Sequence, residues 1–442
     1  MDPSRTRRFP FVSRGEPPPV AIARTEGPWL VTPDGRRILD AAGGAIVANV
    51  GHGRTEVADA VAEALKTETY LVPPFATPSR VRLVERLQAS WLPEGLTRCV
   101  FTSGGSEGVD LALRVVRQHF VSAGEPSRWK VIGRELSYHG TTLATLSVGG
   151  HTKRRAGFEP LLVAHPKAPA CFPLRCTYCG PSGCDGTGCA DALDALIRRE
   201  GPETVAAFIA EPVGGSTAGA LVPPPAYWPR VVDICRRHGV LVIADEVMAG
   251  FGRTGRKFAV DHWDVVPDVL VGGKGLAGGY APICGVFARE SVIEPIAARG
   301  DEVMFYTYGA HPGACAAADK VLEILEREKL VERAAELGRL LTERLAPLAR
   351  HPNVAEVRGL GLLQAVEFVR DRKTLEPFPK EARFASRITA AALGHGVFLY
   401  PGGCDPARDV VCFGPPFTIG PAEIDLAVGA LEKALADVLA RA

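Results

Sequence analysis

Residues 241–256 read LVIADEVMAGFGRTGR. An apolar, mostly β-branched run stops at two carboxylates, Asp245 and Glu246, and a loop with three glycines and two arginines follows. A short continuous apolar run closed by turn residues is the pattern of a strand buried on both faces. The same pattern recurs in RCVFTSG (98–104), WKVIGR (129–134), VAAFIAEPV (205–213) and PDVLVGGK (267–274). Helical patterns lie between these runs, such as VDLALRVVRQHF (109–120) and YWPRVVDICRRHG (227–239). Buried strands alternating with helices predict an α/β chain whose sheet is mostly parallel and covered on both sides.

Working outward, PWLVTPDGRRILD (28–40) reads as two short strands around a Pro33-Asp34-Gly35 turn. Beyond Pro312 the pattern changes: residues 314–351 are long and helical, and VAEVRGLGLLQAVEFV (354–369) alternates as a sheet with one covered face. The C-terminal stretch is an amphipathic helix with Ile424, Val428, Leu431 and Leu435 on one side. The expected organisation is an N-terminal segment, 1–55, that joins a smaller α+β domain, 313–442. Between them lies a large domain, 56–312, interrupted by a cysteine-rich insertion, 168–190.

A chain of 442 residues is long enough for one large core and a smaller one. Its 46% hydrophobic and 23% charged residues suit a soluble globular protein. Fifty-one basic against 50 acidic residues leave no field to attract nucleic acid or anionic lipid. No segment has the length and apolarity of a membrane span. MDPSRTRRFPFVSRGEPPP (1–19) lacks the apolar centre of a signal peptide and reads as a mobile arm. The expectation is a cytoplasmic protein without nucleic-acid or membrane partners. Eleven cysteines in so long a chain argue against a disulfide framework.

In open α/β sheets, ligands gather at the carboxyl ends of the strands. FTSGGSEGVDLAL (101–113) runs from a strand through Gly105 and Ser106 into a helix, where free N–H groups and the dipole form a phosphate cup. Ser106 as a simple helix cap is the alternative. Tyr138 and His139, beside Gly140, offer an aromatic and an imidazole to cover a flat ring, or merely pack a loop. Asp245 leaves a buried strand, where a carboxylate needs a cation. A protonated pyridine nitrogen is one partner; Arg253 or Arg256 is the other reading. Lys274, set between glycines at the end of the next buried run, is either an ion-pair partner or an amine that forms a Schiff base. A phosphate cup, a ring cover, a buried carboxylate and a lysine are together what pyridoxal 5'-phosphate requires.

The motifs FTSGGSEGVDLAL, YHGTT, AEPVGG, IADEVMAGFGRTG, PDVLVGGKGLAGGYAP, YTYGAHPGACAA and RGLGLLQAVEF extend over nearly the whole chain. They resemble those of class III (ω-type) aminotransferases, of fold-type I among the pyridoxal-phosphate enzymes. The resemblance implies a large domain with a seven-stranded-type, mostly parallel sheet between helices, and a small α+β domain formed by both termini. It implies Lys274 as the Schiff-base lysine and proton carrier, and Asp245 as the pyridinium partner. Val247 and Tyr138 would flank the ring, with His139 nearby, and Gly105 and Ser106 would hold the phosphate. Thr307 would reach a phosphate across a homodimer interface with shared sites, and Glu211 would orient groups near the ring. The implied partners are a small amino donor and an oxo-acid acceptor.

The segment before the GHG motif, Gly44 to Asn49, lacks the bulky aromatic many relatives carry, so Ile46 is the candidate substrate contact there. Arg408 is the candidate for a substrate carboxylate, and Arg358 reads as structural. Cys176, Cys179, Cys184 and Cys189 have the ligand count of a structural zinc site, against the alternative of incidental thiols. Transamination between an amine or ω-amino acid and a 2-oxo acid, by ping-pong chemistry, is the expected reaction. An epimerase, decarboxylase, lyase or carbon–carbon bond-forming enzyme on the same scaffold is the alternative.

Overall fold

The computed structural model describes residues 20–180, 183–301, 303 and 305–440. The N-terminal arm, 1–19, lies outside the described residues. Near the N-terminus, β1 (Arg24–Glu26), β2 (Trp29–Val31) and β3 (Arg37–Asp40) form an antiparallel ribbon. The expected turn falls between β2 and β3, with Gly35 at φ 86°.

Seven strands form the central sheet: β4 (Leu96–Thr102), β5 (Lys130–Arg134), β6 (Lys167–Ala168), β7 (Val205–Ala210), β8 (Leu241–Asp245), β9 (Val269–Gly272) and β10 (Cys284–Arg289). Their order is β4-β10-β9-β8-β7-β5-β6. All neighbours are parallel except β10, which runs antiparallel to both β4 and β9. Every residue of β7 and β9 is buried, the burial anticipated from their unbroken apolar runs.

The third sheet joins β11 (Val354–Leu360), β12 (Leu363–Phe368), β14 (Tyr400–Cys404) and β15 (Ala407–Phe413), all antiparallel. Between them β13 (Val397–Phe398) adds in parallel to β3, so the two ends of the chain share a sheet. β12 departs from the expected single covered face, for all six of its residues are buried. Val366 and Phe368 enter one core and Leu363 and Ala365 another, so alternation here divides two interiors rather than interior from water. The helical stretch after Pro312 is two helices, Pro312–Arg327 and Leu330–Leu345. Lys329, at φ 51°, breaks it. The C-terminal helix Pro421–Leu439 buries all four expected apolar residues. Among the described residues no helix is long and apolar enough to cross a membrane.

Candidate active site

Five strands deliver residues to one place. β4 leads into Gly105 and Ser106, β5 into Tyr138 and His139, β7 into Glu211, β8 ends at Asp245, and β9 is followed by Lys274. All of these side chains or backbones line a single cavity of about 170 Å³, together with Gly140, Val213, Val247 and Met248. The convergence follows from the parallel sheet, which points its carboxyl ends one way.

Asp245 is almost wholly buried, and neither arginine of the following loop reaches it. Arg253 instead donates to the carbonyls of Pro415 (2.5 Å) and Ala48 (2.8 Å) and lies 4.7 Å over the Phe417 ring. Asp245 Oδ2 lies 2.7 Å from His139 Nδ1, and its Oδ1 accepts from the Val247 N–H at 3.1 Å. His139 Nε2 is buried without a partner among the described residues.

Lys274 holds φ at 45°, a region an L-residue occupies only when its surroundings impose it. Its ammonium makes no hydrogen bond or ion pair among the described residues. Burial lowers its pKa, opposed by the charges of Asp245 and Glu211. The amine is thereby moved toward its neutral, nucleophilic form. Burial also raises the Glu211 carboxyl, which accepts from the N–H groups of Gly215 (2.9 Å) and Tyr138 (3.1 Å).

The helix Gly105–Ser122 opens at the cavity with Gly104 as its N-cap and no side-chain cap. Ser106 is therefore not the cap; its Oγ accepts from the Thr141 N–H at 3.1 Å. Gly140, at φ 138°, is required there, because a Cβ would lie 2.6 Å from Ser106 Oγ.

The sequence model of the family Aminotransferase class-III matches residues 11–435. The chain belongs to the class III aminotransferases. An aminotransferase of Schizosaccharomyces pombe is 38% identical over 99% of this chain and 97% of its own. The putrescine–pyruvate aminotransferase of Pseudomonas aeruginosa is 35% identical over 95% and 92%. The thermostable (S)-enantioselective ω-transaminase of Thermomicrobium roseum superposes with a TM-score of 0.90 at 37% identity, over 96% of this chain and 93% of that one.

A class III aminotransferase depends on pyridoxal 5'-phosphate, and the cavity fits that group. It holds a desolvated amine without a partner, a carboxylate at the end of a neighbouring strand and an uncapped helix N-terminus. The unpartnered Nε2 of His139 marks a buried polar atom whose surroundings are incomplete in the protein alone.

Not every anticipated residue meets there. Ile46 is 1% exposed, holds φ at 59° and packs against Gly414, so it lines neither this cavity nor the one beside it. Thr307 is exposed and lies outside the cavity. Arg408 lines an adjoining cavity of about 400 Å³ with His151, Lys153, Arg154, Lys380 and Arg383. Arg154 lies 5.0 Å over the Tyr138 ring, so the two spaces meet across that tyrosine. Burial, with Arg154 and Lys153, pushes His151 down to about 4. Val213, Met248 and this cationic wall were missed in sequence. The KRR triplet at 153–155, soon after YHGTT, was the available signal.

Glu246 is fully buried behind Asp245 and does not line the cavity. Its Oε1 accepts from the Val260 N–H at 2.8 Å, its Oε2 is unpartnered, and burial pushes its pKa up to about 8 from 4.5. A raised folded-state value gives a contribution that is intact below 4.5 and lost as pH rises through about 8. Glu246→Gln, neutral throughout, should melt with wild type near about pH 5 and several degrees above it near about pH 9. A melting difference that does not widen with pH would mean the buried carboxyl is not the group responsible.

Proposed function

We propose that the enzyme transfers an amino group from an amine or ω-amino acid to a 2-oxo acid, with Lys274 and Asp245 as its catalytic residues. The carrying observation is that Asp245 ends β8, Lys274 follows the neighbouring β9, and both line one cavity. When bound, pyridoxal phosphate supplies a carbonyl to capture the donor amine and an electron sink for the electrons left at its Cα. Lys274 would be the residue that holds the cofactor's carbonyl, and its amine would carry the proton to and from the substrate carbon. Asp245 holds the proton on the pyridine nitrogen, and His139 fixes the carboxylate from behind. Gly105 and Ser106 take the phosphate, Val247 and Tyr138 flank the ring, and Glu211 holds the Tyr138 backbone in place.

The only cation lining this cavity among the described residues is Lys274, which supports phosphate ligation completed by a second copy. Thr307 is exposed, as are Phe305 and Tyr308 in the same stretch, and Tyr70, whose ring lies 6.1 Å from that of Tyr308, donates to the Thr307 carbonyl at 3.1 Å. These exposed aromatics around Thr307 support a homodimer with shared sites. A fully active monomer in sedimentation would exclude the sharing. The eleven unpaired cysteines support a reducing, cytoplasmic setting. On the same reading, the described residues of 56–312 form the cofactor-binding domain, and those of 1–55 with 313–442 form the smaller one.

The cationic cavity is the acceptor's entrance, and Arg408 is its carboxylate contact. Its side chain is 17% exposed and lies 2.8 Å from Asp405, which holds it at the wall. Arg408→Ala should raise KM for the oxo acid about tenfold, the loss of one charge-assisted hydrogen bond, with kcat nearly kept. An unchanged KM would remove Arg408 from the substrate site. The function itself is tested by supplying an amine donor with pyruvate or 2-oxoglutarate and assaying the amino acid formed. Donor consumption without transfer of its nitrogen to the oxo acid would overturn the reading.

A further inference from the structure

The cysteine-rich insertion is the one motif the transamination site does not use. The Sγ atoms of Cys176, Cys179, Cys184 and Cys189 all lie within 4.8 Å of one another. Four of the separations are 3.5 Å (Cys176–Cys189), 3.5 Å (Cys179–Cys184), 3.7 Å (Cys179–Cys189) and 3.8 Å (Cys184–Cys189). A tetrahedral zinc with bonds of about 2.3 Å to sulfur sets its ligands about 3.8 Å apart. A disulfide requires about 2.05 Å, and every cysteine of the chain is free. The four thiols thus stand at the corners of a metal cage, not in bonded pairs.

The surroundings suit thiolates. Cys176 and Cys179 flank a tight turn in which the Tyr178 N–H points at Cys176 Sγ, 3.4 Å away. A backbone donor to a coordinated sulfur is a common supporting contact. Cys189 lies in the first turn of the helix Thr187–Glu200, where the dipole favours negative charge. Gly188 is held so close to the turn that a Cβ would lie 2.3 Å from the Tyr178 carbonyl oxygen. The turn and the helix start are therefore seated face to face. Cys171, whose sulfur is 4.0 Å from that of Cys184, lies buried beneath as a fifth thiol.

We propose that Cys176, Cys179, Cys184 and Cys189 bind a single zinc ion as a closed tetrathiolate. The donor set is all soft sulfur with no open position, which selects zinc for structure rather than catalysis. On binding, each thiol releases its proton to solvent, and no electron is transferred. The ion fixes the 171–179 segment, and this segment braces the third sheet. Arg175 pairs with the fully buried Glu367 of β12 and donates to the Leu375 carbonyl at 3.3 Å. Phe172 lies 4.9 Å beneath the Arg358 guanidinium. Arg358 itself binds Glu367 at 2.7 Å and the Gly219 carbonyl at 2.7 Å. A continuous set of contacts thus joins the metal cage, the β11–β12 hairpin and the turn that follows Glu211.

The test is metal analysis of the cofactor-loaded enzyme, purified from zinc-supplemented cells, with thiols counted in the same samples. The expected result is one zinc per chain and four thiols that become reactive when a chelator is added to the folded enzyme, while the buried cysteines elsewhere in the chain react only in denaturant. Replacing the zinc with cobalt(II) should give the red-region bands of a tetrahedral tetrathiolate, away from cofactor absorption. Cys176→Ser/Cys179→Ser should lose the metal and melt lower, whereas Cys99→Ala, outside the cluster, should keep it. The cobalt and thiol readings use the wild-type chain, so a poorly folding variant leaves the test intact. Substoichiometric zinc with no gain in reactive thiols on adding the chelator, iron in place of zinc, or masses showing disulfides among these cysteines would each overturn the proposal.

Discussion

Lys274→Ala is expected to lose transamination by more than about 10⁴-fold while folding normally. The magnitude follows from two losses at one atom, the nucleophilic amine and the proton carrier, the second alone contributing up to about 10⁴. Folding is preserved because alanine meets the same backbone strain at φ 45° as lysine does. The substitution also removes a partly buried amine that makes no hydrogen bond or ion pair among the described residues, so the melting temperature should hold or rise. The visible absorption of the bound cofactor should disappear, and dialysis should strip the cofactor faster. Lys274→Arg separates charge from nucleophilicity: it keeps a cation but has no amine to attach, and it should be equally inactive. Turnover near wild type in either variant would remove Lys274 from the centre of the site.

The residues around Lys274 were legible in sequence because the sheet does the assembling. A run such as VLVIADEV declares a strand, and its last residue must lie at a carboxyl edge where other strands also end. Asp245, Lys274, Tyr138 and Ser106 were each found by that rule, and Glu211 only through the family resemblance. What the rule cannot reach is pairing at a distance. Asp245 has two arginines close by in sequence, yet its partner is His139, 106 residues away. The cationic cavity is built from residues near 153, 382 and 405, and only the KRR triplet among them carries a local signal. Alternation in β12 also misled, because period two reports two different faces and cannot say whether the second meets water or another core. Lys329 breaks its helix without glycine or proline, since packing imposes the left-handed turn that local preference would resist.

Asp245→Asn is the more discriminating substitution, because it changes charge with almost no change of shape. The amide oxygen can still accept the Val247 N–H now held at 3.1 Å. The amide nitrogen can donate to His139 Nδ1 in the appropriate tautomer, so the 2.7 Å contact has a neutral equivalent. The cavity wall and cofactor retention should therefore survive. What is lost is the negative charge beside the pyridine nitrogen, and with it the proton there and the pull on electrons at the substrate carbon. Removing one preorganised electrostatic contact of this kind costs about 10²–10³-fold in kcat. A second consequence separates this role from a structural one. Asp245 is the largest opposing influence on the lowered pKa of Lys274, so Asn should shift the pH profile of residual activity to lower pH. His139→Asn, which leaves the carboxylate charged but less firmly held, should lose less activity than Asp245→Asn. If Asp245→Asn turns over at a near-normal rate with an unmoved profile, the carboxylate is only a brace for the YHGTT loop, and the protonated nitrogen must be held by another group.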